Sequence, residues 1–103
     1  MAAEHDDVVS EDEQYRTGIL ELLGILAYGE ISACERLAED ASMAPDLSTR
    51  AEILSMLAAE HDHFEKLRDR LVELGQDPYP FMETFADIFD RFHRQTRPSD
   101  WLE

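Results

Sequence analysis

Leu57-Ala58-Ala59-Glu60-His61-Asp62-His63-Phe64-Glu65-Lys66-Leu67 reads as one turn after another of a helix that carries an acid in its apolar stripe. Around it Ile53, Leu57, Phe64, Leu67, Leu71 and Leu74 recur at steps of four and three or their sum, the spacing of one face of an α-helix. Residue 60 falls on that stripe and is Glu60. His63 follows three positions on and leans onto the same face. Gly75 is a natural C-terminal cap and Asp77-Pro78 a stop, so the spacing predicts a helix over 49–74. Its start is signalled by Thr49-Arg50-Ala51-Glu52 as a capping box, with Ser48 as the other candidate cap.

Upstream lies a second stripe: Ile19, Leu23, Leu26, Ala33 and Leu37, predicting a helix over 11–41. Ser10 and Glu13 form a capping box at its start. Gly18, Gly24 and Gly29 lie inside it, each costing about 1 kcal/mol of helix propensity relative to alanine. This stripe too is interrupted by an acid, Glu30. Residues 42–48 form a polar link holding Pro45. Two antiparallel helices joined near residue 45 pair positions whose numbers sum to about 90, and Glu30 and Glu60 do so.

Downstream, Phe81, Phe85, Ile88 and Phe92 predict a third amphipathic segment over 80–95 whose Asp90 points to water. Pro98-Ser99-Asp100-Trp101 leaves two options: Trp101 tucks against the hairpin, or another helix opens there. No stretch alternates with period two long enough for a strand. The fold class is therefore all-α, an antiparallel helical hairpin plus a third short helix, in a domain spanning 10–103 behind an acidic, disordered tail over 1–9.

The 103 residues carry 24 acids against 9 bases, a net charge of −15, and that field repels phosphate backbones and anionic lipid. Cys34 is the single cysteine and can form no internal disulfide. The N-terminus lacks the basic and apolar regions of a signal peptide, and no uninterrupted run approaches the ~18 apolar residues of a membrane span. The expectation is a cytoplasmic protein with no membrane contact.

Two carboxylates facing each other in a dry seam would cost several kcal/mol, or one of them would hold a proton. A divalent metal removes that penalty, and the imidazole of His63 adds a nitrogen donor. Helix bundles with two iron or manganese ions take a Glu from one helix and Glu-x-x-His from the next, supplied twice. Glu30, Glu60 and His63 are the candidate ligands on this ground. Taken singly each has a plainer explanation: Glu-x-x-His is a common surface pattern, and Glu30 could bury its stem while its head reaches water. Cys34 is expected to be a small buried thiol. His61 is expected at the surface or behind the ligands, and Lys66, Arg68 and Arg70 in helix-surface ion pairs.

The stretches 15–24, Ala27-Tyr28-Gly29-Glu30, 35–41, 63–71 and Pro98-Ser99-Asp100-Trp101-Leu102-Glu103 resemble the actinobacterial ferritin-like proteins grouped with the methylthio-isopentenyladenosine tRNA hydroxylases. That resemblance implies half of a four-helix bundle and a non-haem di-iron centre, with manganese as the other metal considered. It further implies O2-dependent hydroxylation of a prenyl group on a modified tRNA base, with ligand roles carried onto Glu30, Glu60 and His63. The charge of −15 fits poorly with gripping tRNA. By itself the chain carries half of a two-metal ligand set, so completion comes from a homodimer, a higher even oligomer, or a C-terminal half. Two alternatives stand beside the hydroxylase: a ferroxidase resembling the encapsulated ferritins, and a metal-free helical interaction module.

Overall fold

The structure is a computed structural model that describes residues 10–101; the expected tail over 1–9 lies outside them. Four helices follow in order: α1 (Glu11–Met43), α2 (Leu47–Glu73), α3 (Pro78–Glu83) and α4 (Ala86–Gln95), and no strand occurs among the described residues. Ser10 Oγ accepts from the Glu13 amide at 3.1 Å, as the capping box requires. The link is shorter than expected, Ala44-Pro45-Asp46. The second helix is capped by neither Thr49 nor Ser48 but by Asp46, which accepts from the Thr49 amide at 2.7 Å. A carboxylate is the better partner for the positive end of a helix, and that bond holds Asp46 below the usual carboxylate range. At the other end Gly75 takes φ 89°. The Gln76 amide donates to Leu71 O and the Gly75 amide to Val72 O, a Schellman ending that favours glycine.

The expected register holds along the hairpin. Arg16 donates to Leu74 O at one end, and the Cys34 thiol points at Leu57 O, 3.7 Å away, near the middle. Leu20, Ala27, Phe64, Leu71 and Met82 form the main core, and Ala41, Ala44 and Ile53 a second cluster beside the link. The molecule measures 68 × 27 × 19 Å with a radius of gyration of 18.3 Å. A compact domain of this length would have about 13 Å. The hairpin is therefore elongated, and Leu22 (55% exposed) and Leu26 (46%) stand uncovered on α1 although Leu26 belongs to its stripe.

The third segment departs from expectation in two ways. It breaks at Thr84-Phe85 into α3 and α4. The break lets the rings of Phe81 and Phe85 meet edge to face at 5.8 Å over Gly24, where a Cβ would lie 2.6 Å from one ring and 2.8 Å from the other. The packed side of α4 is also not the one the stripe gave. Ile88 is 71% and Phe92 63% exposed, whereas Phe89 packs on Tyr28 with ring centroids 5.5 Å apart. Asp90 is exposed, as expected, and its Oδ1 also accepts from the Tyr28 hydroxyl at 2.6 Å. Burial and that carboxylate push Tyr28 up to about 12.

Trp101 opens no helix among the described residues; it lines a recess with Asp40 and Met43 at the end of α1. An 18-residue window of α1 has mean hydropathy 1.3, so by length and composition this helix could cross a membrane, and only 17% of that window is buried. Those uncovered apolar residues belong to a helix with Glu30 in its stripe.

Candidate metal centre

Glu30 lies near the middle of α1 and Glu60 and His63 near the middle of α2, each helix bringing its acid to the seam through the four-three spacing. The hairpin register then sets them together: one ligand atom from each of the three residues lies within 4.8 Å of the others. His63 Nδ1 stands 4.0 Å from Glu60 Oε2. Glu30 and Glu60 are half-buried and His63 is exposed, so the group opens on an uncovered side of the hairpin.

Glu30 carries the strain of this arrangement. Its Oε2 is buried and no donor reaches it. Burial raises its pKa most, and the neighbouring Glu60 carboxyl adds to that, bringing Glu30 to about 7, with His63 pulling the other way. A carboxyl with an orphaned oxygen, facing a second carboxyl and an imidazole, is the donor set of a divalent cation. Atoms about 2.1 Å from one ion lie at most about 4.2 Å apart, so a small rotamer adjustment from the present spacing suffices. The residues fit the metal.

The neighbours behave as expected. His61 Nδ1 pairs with Glu65 at 3.0 Å on the surface. Lys66 pairs with Asp62, Arg68 with Glu65 and Asp69, and Arg70 with Glu73. Exposed pairs of this kind contribute about 0–1 kcal/mol each. Cys34 is half-buried rather than fully buried, and burial followed by the charges of Glu60 and Glu30 pushes its thiol up, so it is a poor thiolate.

A second polar group was not anticipated. His93 Nε2 lies 2.9 Å from Glu39 Oε1, and His93 Nδ1 lies 3.4 Å from Ser32 Oγ. Arg36 donates to the carbonyls of His93 and Thr96 and, at 3.0 Å, to Thr96 Oγ1. Arg97 Nε pairs with Glu39 Oε2 at 3.4 Å. The partners of His93 in this group, Glu39 and Ser32, lie more than fifty residues away along the chain.

A hairpin that sets one Glu opposite Glu-x-x-His is the half-unit of the ferritin-like carboxylate bundles. The chain belongs to the family described as "Ferritin-like domain, actinomycetes", whose model matches residues 13–103. Comparison with curated proteins and with solved structures finds no match.

Proposed function

We propose that this chain supplies half of a di-iron carboxylate centre, that a second copy docked on the open side supplies the other half, and that the completed centre serves O2-dependent oxidation. The observation that carries this reading is the convergence of Glu30, Glu60 and His63 beside an orphaned carboxyl oxygen. Glu30 and Glu60 would hold the cations and offset their charge, and His63 would complete the nitrogen side. A two-fold axis through the open face doubles this to four carboxylates and two imidazoles. Leu22 and Leu26, exposed beside the ligands, would be buried by the same contact and would exclude water from it. These residues would hold iron, or manganese as the other metal of this donor set, and the metal would supply the chemistry of O2 activation.

The favoured reaction is hydroxylation of an organic substrate. The field of 15 excess negative charges opposes a polyanion such as tRNA and favours a small neutral substrate. The same field favours a second reading, a ferroxidase, because it concentrates Fe(II) at the surface. Either activity places the chain in a reducing compartment such as the cytoplasm.

Native mass spectrometry after anaerobic loading with Fe(II) tests the proposal. A dimer, or a ring of dimers, with two irons per pair is the expected spectrum. A metal-free monomer would overturn it and leave the helical interaction module. Rapid multi-turnover consumption of Fe(II) by the loaded dimer would move the conclusion to the ferroxidase.

A further inference from the structure

The polar group between α1 and α4 has a defined protonation pattern. Glu39 is held below the usual carboxylate range, first by its bond to His93 and then by Arg97 and Arg36. An ionised carboxylate only accepts, so at the 2.9 Å contact His93 Nε2 carries the proton. In the neutral ring Nδ1 is then the nitrogen with the lone pair, and it lies 3.4 Å from Ser32 Oγ. That is a nucleophile, a base and an orienting carboxylate in sequence, at the loose spacing usual before substrate is bound. His93 is well shielded, with 13% of its side chain exposed. Arg36 fixes its backbone by gripping the carbonyls at the end of α4.

Ser32 and His93 both line a cavity of about 300 Å³ whose other walls include Gly29, Ala33, Phe89 and Phe92. The Phe89 ring lies against α1 at Gly29, where a Cβ would sit in ordinary van der Waals contact at 3.5 Å. Arg36, one turn on from Ser32, lines the same cavity and has a buried Nε–H without an acceptor. An apolar chamber with one nucleophilic hydroxyl and a guanidinium beside it suits a small neutral ester.

We infer that Glu39, His93 and Ser32 form an acyl-transfer site, separate from the carboxylate centre, that takes small neutral esters. Ser32 Oγ bonds to the ester carbonyl carbon while its proton passes to His93 Nδ1. The C–O bond to the leaving alcohol then breaks, and the alcohol takes that proton. Water attacks the acyl-serine by the same route, releasing the carboxylic acid and restoring Ser32. Arg36 supplies positive charge beside the oxygen that becomes negative. Glu39 is a positioning residue, keeping the proton on Nε2 and the lone pair on Nδ1.

The test uses chelator-treated protein, so its outcome is independent of the metal reading. An alkyl fluorophosphonate and p-nitrophenyl acetate are the probes. One phosphonyl adduct per chain, mapped to Ser32 by peptide mass spectrometry, is expected, together with release of p-nitrophenol. Ser32→Ala, which leaves the Glu39–His93 pair intact, abolishes the adduct. His93→Gln and Glu39→Gln slow labelling at least about tenfold, and Glu39→Asp recovers part of the rate. No adduct on the folded wild-type chain, an adduct on another side chain, or labelling unchanged in His93→Gln overturns the site. Far-ultraviolet circular dichroism confirms that each variant is folded. Should the His93 and Glu39 variants fail to fold, the wild-type and Ser32→Ala pair decides alone.

Discussion

Glu60→Ala abolishes iron binding, taking the expected two irons per pair of chains to none. Glu60 is one of the two carboxylates of the group, standing 4.0 Å from His63 Nδ1 and helping to raise Glu30. Without it the chain retains one half-buried carboxyl and one exposed imidazole on a different helix. Two such ligands do not hold a divalent ion against water. Anaerobic Fe(II) titration followed by native mass spectrometry reads the result, and unchanged stoichiometry in the variant removes Glu60 from the site.

Glu30→Leu has two opposite effects. It ends metal binding, and it stabilises the metal-free fold, because a half-buried carboxyl with an orphaned oxygen is exchanged for an apolar side chain. The gain is about 1 kcal/mol, the low end of such replacements because Glu30 is only partly buried, and roughly 4–8 °C in melting temperature for a domain of this size. The effect depends on pH with a definite sign. Burial, and then the Glu60 carboxyl, raise Glu30 in the folded chain to about 7 from its ordinary 4.5. The folded state therefore holds a proton that the unfolded state releases. Its contribution to stability is complete below about 4.5 and is lost as pH rises through about 7. Melting the metal-free proteins from pH 5 to pH 7.5 should show the wild type losing stability that the variant does not. A lower melting temperature for Glu30→Leu at pH 7.5 would show that Glu30 is not a buried carboxyl under stress.

The hairpin and the carboxylate group could be read from the chain because both rest on local periodicity plus one geometric rule. Stripes at steps of three and four fix which face of each helix is inward, and the short link fixes which residues stand opposite. Glu30 against Glu60 follows from those two facts alone. The packed side of α4 does not. Phe81, Phe85, Ile88, Phe89 and Phe92 offer two helical stripes, and the choice between them is made on α1, where Gly24 leaves room for Phe81 and Phe85 and Tyr28 receives Phe89. Asp46 lost to Ser48 and Thr49 as the expected cap because all three are good capping residues, and the decision lies in where the link bends. The Glu39–His93 contact spans 54 positions and has no local signature.

The three-residue link Ala44-Pro45-Asp46 also fixes an order of assembly. The cluster of Ala41, Ala44 and Ile53 closes a loop of about a dozen residues, whereas Arg16 reaches Leu74 across 58 positions and Arg36 reaches Thr96 across 60. Closing a chain costs more entropy as the loop lengthens, by about 0.6 kcal/mol for each doubling, and every pair formed near the link shortens the next loop to be closed. Pairing therefore begins at residues 41–53 and zips outward, bringing Glu30 to Glu60 at an intermediate stage, with α4 docking last. Pulsed hydrogen exchange during refolding should protect amides flanking the link before those of Ala86–Gln95, and simultaneous protection would exclude a zipper. On this route the two acids meet on a nascent hairpin still open to water and cations, so a metal present during synthesis can join the chain before its aromatic C-terminal helix arrives.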